Sequence, residues 1–178
     1  MSTQQIDLSA AVPTPKGSWH VDPSAGKLQF KVKTLWGLVT VKGTFDTYEG
    51  NLSIDERGTA SGELVVSVDS LDTKNGKRDE HLRSPDFFHE ELHPTVRFVV
   101  DAFGTAPGAQ AITGDLYVGG KIARLRLPLE LSTAGEGHLR LKANGVVSRE
   151  DVGMLWNKAG MIRGDVVLDG ELDLIPNS

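Results

Sequence analysis

His89-Glu90-Glu91-Leu92-His93 has the spacing of a metal site. On a helix, histidines four residues apart share a face and can grip one zinc ion, with the glutamate between them as general base. The surroundings work against that chemistry. Pro94 follows immediately and ends any helix, and barely two turns separate it from Pro85. A third ligand would have to be His138 or a scattered carboxylate. A metal-assisted hydrolase using His89, Glu90 and His93 is therefore the runner-up, and neither a catalytic residue nor a resident metal is expected.

A second concentration of chemistry lies just upstream. Arg78-Asp79-Glu80-His81-Leu82-Arg83-Ser84-Pro85-Asp86-Phe87-Phe88 packs two Arg, two Asp, a Glu, a His and two adjacent Phe into eleven residues. Ser84-Pro85-Asp86 has the form of a helix start: a hydroxyl cap, Pro at the first helical position and a carboxylate near the positive helix end. Both signs of charge are balanced. A dedicated phosphate site would carry excess positive charge, so Arg78, Asp79, His81 and Arg83 are expected to form a structural polar network. Arg149 and Asp151 are its expected salt-bridge partners. Leu82, Phe87 and Phe88 would point into the body below. Other catalytic signatures are missing: there is no P-loop, no G-x-G-x-x-G after a strand and no G-x-S-x-G.

Those groups must be held by something, and the period of the chain says what. From Lys27 onward apolar and polar residues alternate, the period of a half-buried strand. Phe30 and Val32 alternate with lysines; Val41 and Phe45, then Leu64 and Val66, then Phe98 and Val100 repeat the pattern. Leu116, Leu127 and Leu141 belong to three further runs, and Val166 to Leu174 to the last. Gly119-Gly120 between two of the runs reads as a two-residue hairpin turn. About eight or nine strands result, each apolar mainly on one side, which argues against a parallel sheet. One short helical insert cannot cover a sheet face. An antiparallel sheet closed on itself buries one face and removes the edges. A two-sheet sandwich stays open on the residues alone, as does the choice between a filled core and a tube lined by aliphatic carbon.

Bulk numbers bound the rest. At 178 residues with net charge −5, one domain is the natural expectation. No Lys/Arg run stands out, so no nucleic-acid partner is expected. With no Cys there is no disulfide framework and no thiolate chemistry. No apolar run is long enough for a membrane-spanning helix. Residues 1–17 read as a flexible arm and 18–176 as the barrel domain. The first fifteen residues lack a basic start and an apolar core, so a cytoplasmic location is the expectation.

The charged insert, read with Ser70-Leu71-Asp72-Thr73 before it and His93-Pro94-Thr95-Val96-Arg97-Phe98 after it, resembles the YceI-like family of lipocalin-like polyisoprenoid-binding proteins. Trp19-His20-Val21-Asp22-Pro23, Val41-Lys42-Gly43-Thr44-Phe45 with Tyr48-Glu49-Gly50, and Ser148 through Met154 fit the same pattern. The chain departs from it at Ala25-Gly26 and Thr34, where the family commonly has His-Ser and a second His. The resemblance implies a single antiparallel lipocalin-like β-barrel with a short helical insert that holds a polyisoprenoid, a quinone-like isoprenoid or another amphiphile and does no chemistry. The expected wall is Phe30, Val32, Val41, Phe45, Leu64, Val66, Phe98, Val100, Leu116, Leu127 and Leu141. The expected mouth and lid are Leu35, Trp36, Leu82, Phe87, Phe88, Met154, Trp156 and Met161. No cofactor beyond a bound isoprenoid or fatty lipid is expected. The resemblance further implies a homodimer, and many relatives that are exported.

Overall fold

The computed structural model describes residues 15–106 and 109–178. These form ten strands and one α-helix: β1 (Gly17–Thr34), β2 (Val39–Phe45), β3 (Tyr48–Ile54), β4 (Ala60–Ser67), β5 (Leu71–Asp72), α1 (Gly76–Arg83), β6 (Thr95–Ala106), β7 (Ala109–Val118), β8 (Lys121–Thr133), β9 (Leu139–Val147) and β10 (Arg163–Pro176). The arm expected over 1–17 falls outside the described residues up to position 14, and Gly17 already opens β1.

All pairings are antiparallel, and the sheet closes. Its order runs β10-β9-β8-β7-β6-β4-β3-β1, and β1 pairs back onto β10. Eight strands thus make a closed barrel, and the sandwich alternative falls away. Trp19 faces Pro176, and Lys33 faces Arg163, at the two ends of the closing seam. β2 and β3 act as one bent strand along β1: Gly17 to His20 pair with β3, and Leu28 to Thr34 pair with β2. β2 therefore carries the wall past the end of β3. Its outer edge is met by the two-residue β5, and the segment from β5 to β6 crosses that end of the barrel.

The alternation explains the wall. Inward residues of β1 and β2 face each other as Phe30 with Gly43 and Val32 with Val41. Phe30 needs a glycine opposite it: a Cβ at Gly43 would lie 2.3 Å from the Phe30 ring. Outward positions carry charge instead. Arg97 pairs with Glu63, Arg124 donates to Asp101 at 2.7 Å and Asp115 at 3.2 Å, and Arg140 donates to Asp173 at 2.7 Å. Those guanidinium contacts hold the Asp101 and Asp173 carboxyls below the usual carboxylate range.

The end of the barrel opposite the lid is filled. Trp19, Ile54, Ala60, Leu139 and Leu174 pack together there, and the Trp19 indole N–H donates to the Gly137 carbonyl at 2.9 Å. Tyr48 is buried in the same cluster, and burial raises its phenol above its ordinary pKa.

Ser84-Pro85-Asp86 does not start a helix. It ends one. Helix α1 begins after Asn75, whose side-chain oxygen accepts from the Arg78 amide at 3.1 Å. Ser84 is the C-cap: its hydroxyl donates to the His81 carbonyl at 2.6 Å, and its backbone is extended. Pro85 enforces that extension, because a proline ring clashes with a helical residue before it. The chain from Ser84 to Pro94 continues as a series of turns.

Candidate ligand-binding site

Between the filled end and the lid lies a cavity of about 470 Å³. That is within the ~300–1,000 Å³ typical of sites for one small ligand. Phe30, Val32, Val41 and Phe45 line it from β1 and β2, and Leu64 and Val66 from β4. Phe98 and Val100 on β6, Leu116 on β7, Leu127 on β8 and Leu141 on β9 complete the circuit. Every wall position chosen from the alternation thus borders one space. Choosing one residue or two per strand left out Val21, Leu28, Val118, Leu125 and Val147, and the β10 residues Val166, Leu168 and Leu172, which also line it. The same alternation marks most of them.

The mouth is built by the β5–β6 crossing and the β9–β10 loop. Leu82 from α1, and Phe87 and Phe88 from the turns after it, line the cavity from above. Phe88 meets Phe45 edge-on, ring centroids 5.8 Å apart, and Phe45 in turn packs on Phe30 at 5.7 Å. Met154, Trp156 and Met161 from the β9–β10 loop line it as well. Trp156 stacks edge-on against His81 at 4.5 Å and leans on Phe87 at 5.5 Å. Lid and loop are therefore joined across the opening by an aromatic contact. Leu35 and Trp36 do not line the cavity. They sit on the β1–β2 hairpin tip with positive φ of 48° and 56°, largely exposed to solvent. That backbone turns their side chains away from the wall direction set by Phe30 and Val32.

The polar groups divide. Asp79 is buried and accepts from both the Thr73 amide, at 3.0 Å, and the Thr73 hydroxyl. Arg78 donates to the same Thr73 through Nε to Oγ1 at 2.8 Å and through Nη2 to the carbonyl at 2.7 Å. Arg83 donates to the Asp69 and Leu71 carbonyls at 3.1 and 3.0 Å. These bonds tie α1 to the segment before it. His81 contacts Asp86 through Nε2 at 2.8 Å. Arg149 and Asp151 are not part of this network. Arg149 instead donates to the Met154 and Gly164 carbonyls at 3.2 and 3.3 Å and shapes the β9–β10 loop, while Asp151 is exposed. The expected salt bridges fail because the two segments approach through aromatic rings, not charges. Arg78, His81 and Arg149 still border the cavity, whereas Asp79 and Arg83 do not.

The H-E-x-x-H string lies in the turns after α1, not on a helix. His89 has φ of 52°, outside helical geometry. The His89 and His93 rings lie 6.0 Å apart and cross at 76°. Among the described residues no three His, Asp or Glu side chains converge as metal ligands. The spacing alone predicts a shared face, but the helix that would create that face ends at Arg83.

Residues 19–174 match the YceI-like domain. The chain belongs to the YceI-like family. Relatives include a UPF0312 protein of Vibrio campbellii, 35% identical over 140 residues and covering 72% of each chain. Another, from Photorhabdus laumondii, is 34% identical over 61% of this chain and 56% of its own. Protein YceI of Escherichia coli O157:H7 is 30% identical over 61% of this chain and 58% of its own. The match thus spans little more than half the length of the last two relatives. Two solved structures share the fold. Burkholderia cenocepacia BcnA superposes with a TM-score of 0.78 at 19% identity, covering 86% of this chain and 98% of its own. A polyisoprenoid-binding domain from Saccharophagus degradans gives 0.71 at 17% identity, covering 89% and 98%.

Proposed function

We propose that this barrel binds and carries one long-chain isoprenoid lipid, or a comparable amphiphile, with its chain in the apolar cavity and its polar end at the lid. The observation that carries the reading is the cavity: a space of about 470 Å³ walled almost wholly by aliphatic and aromatic carbon, closed at one end and capped at the other. A prenyl chain makes no hydrogen bonds along its length and suits such walls. Each Å² of apolar surface withdrawn from water contributes roughly 25 cal/mol. A polar end needs hydrogen-bonding partners, and Arg78, His81 and Arg149 supply them at the border of the cavity. Membership of the YceI-like family, together with a fold shared with a polyisoprenoid-binding domain, supports the same ligand class. Binding without chemistry is the role this reading assigns.

Organic extraction of the purified protein followed by mass spectrometry, with titration by a prenyl quinone, tests the proposal. A retained lipid or saturable uptake at micromolar concentration is expected. Finding neither would remove the reading.

A further inference from the structure

The mouth carries an apolar tip of which only Trp156 lines the cavity. Leu38 is 86% exposed and Trp36 54%, and Leu35 and Val39 flank them. Leu155, 68% exposed, and Trp156 stand on the neighbouring β9–β10 loop. Single exposed apolar residues are ordinary, but a contiguous group marks an interaction surface. The two segments are bonded to each other: the Trp36 amide donates to the Met161 carbonyl at 3.0 Å, and its indole N–H donates to the Ala159 carbonyl at 3.2 Å. With the indole N–H satisfied internally, the exposed part of the ring is carbon. Leu35, Trp36 and Ala159 all hold left-handed φ, a conformation non-glycine residues adopt at a cost.

Charge surrounds this tip on one side. Lys31 and Lys42 are cross-strand neighbours on the outer face, Lys33 lies opposite Arg163, and Lys158 is in the adjoining loop. Among the described residues none of these five forms an ion pair, while Arg97, Arg124 and Arg140 farther along the barrel all do. The whole chain carries net charge −5, so this is a local reversal of sign. Acids share this end: Asp86, Glu90 and Glu91 are in the lid, Glu150 and Asp151 in the β9–β10 loop, and Asp165 is on β10 between Arg163 and Val167, beside the lysines of β1, so the five cations outnumber the one acid among them.

We propose that this tip docks the barrel mouth on an anionic phospholipid bilayer, with Leu35, Trp36, Leu38 and Leu155 in the interfacial region and the five cations against the head groups. Apolar side chains flanked by lysines and arginines are the chemistry of interfacial binding. The position adds a reason. Thr34, Trp156 and Met161 border the cavity within a few residues of the tip, so a docked mouth would open onto the acyl region. A lipid chain could then pass between bilayer and barrel without crossing water. That rationale rests on the lipid-carrier reading, but the docking itself is measured separately.

The test is flotation of the full chain with vesicles of phosphatidylcholine alone, or of equal parts phosphatidylcholine and phosphatidylglycerol. Binding to the anionic vesicles is expected, weakening as salt is raised. Leu38→Asp with Leu155→Asp should weaken it about tenfold or more, from the loss of apolar burial. Lys31→Glu with Lys33→Glu should weaken it about tenfold through charge alone. None of these four residues lines the cavity, so melting and prenyl-quinone uptake from solution should stay as in the wild type. Wild-type protein that takes up the quinone but ignores anionic vesicles overturns the docking and leaves the carrier reading standing. Vesicle binding with no quinone uptake upholds the docking and removes the carrier reading. A dimer in sedimentation velocity that becomes monomeric in the Leu38→Asp/Leu155→Asp variant, with vesicle binding absent, overturns the proposal in favour of a second copy covering the tip.

Discussion

Thr73 is the residue on which the lid hangs. Its hydroxyl accepts from Arg78 and donates to Asp79, and its amide also donates to Asp79. Removing the Asp79 carboxylate leaves two buried donors without an acceptor, which costs about 2–3 kcal/mol. Asp79→Ala should therefore lower the melting temperature by roughly 5–10 °C, ligand or no ligand. Calorimetry on ligand-free protein checks this; unchanged melting with lost lipid uptake would instead make the segment a head-group site. The wall residues predict the opposite pattern. Val41 faces Val32 across the cavity-lining sheet, and a larger side chain there fills space the ligand needs. Val41→Trp should cost about 1–3 kcal/mol of stability through overpacking but keep the strand content in circular dichroism, while prenyl-quinone uptake falls. Gly43→Ala should act similarly by driving the Phe30 ring inward, since the new Cβ would lie 2.3 Å from it. Normal uptake by both variants would place the ligand elsewhere.

The lid is a turn-rich segment held at discrete points. Arg83 ties the end of α1 to β5 and the turn before it, and Phe88 seals against Phe45. Edge-to-face aromatic pairs contribute about 0.5–1.5 kcal/mol beyond their burial. Phe88→Ala should thus raise the dissociation rate of a fluorescent prenyl analogue about tenfold, with a smaller change in its association rate. Stopped-flow displacement measures both, and an unchanged dissociation rate would mean that the lid does not gate release. Pro128 makes a different point about elements. It occupies a barrel strand, where a proline normally removes a ladder hydrogen bond. Here β8 is paired with β7 up to Pro128 and with β9 only from Leu129 to Thr133. The proline stands at the changeover, where the missing N–H costs least.

The whole molecule is closed by its ends. β1 and β10 meet across the length of the chain, from Trp19 with Pro176 to Lys33 with Arg163. Such non-local pairing implies slow folding, on the millisecond-to-second scale of β-barrels. The outer face adds a pH dependence. Arg124 lowers the pKa of Asp101, and Arg140 that of Asp173. A carboxyl whose folded pKa lies below its unfolded value contributes stability that is present above about pH 4 and lost as pH falls through the folded pKa. Melting temperature should therefore drop below about pH 4, by a modest amount because these pairs are exposed. Replacing Asp101 and Asp173 with Asn should flatten that drop; an unchanged profile would assign acid sensitivity to other carboxylates.

Much of this was legible in one dimension. Period-two alternation identifies Phe30, Val41, Leu64, Phe98, Leu127 and Leu141 as one apolar face, because successive strand side chains must point to opposite sides. The family could be read from the charged insert and its flanks, since that string has no ordinary place in a strand. What alternation does not contain is the distance between facing walls. Only the closure of β10 onto β1 decided that the apolar face surrounds a cavity rather than packing against a second sheet. Only the chain around Ser84 decided that a cap motif ends a helix: Asn75 had already begun one, and Pro85 forbids its continuation. Asp151 illustrates the same limit, because charge complementarity names candidate partners while the fold decides which segments come within reach. The exposed tip at Trp36 and Leu38 follows from backbone geometry, and residue type alone would have turned those side chains inward.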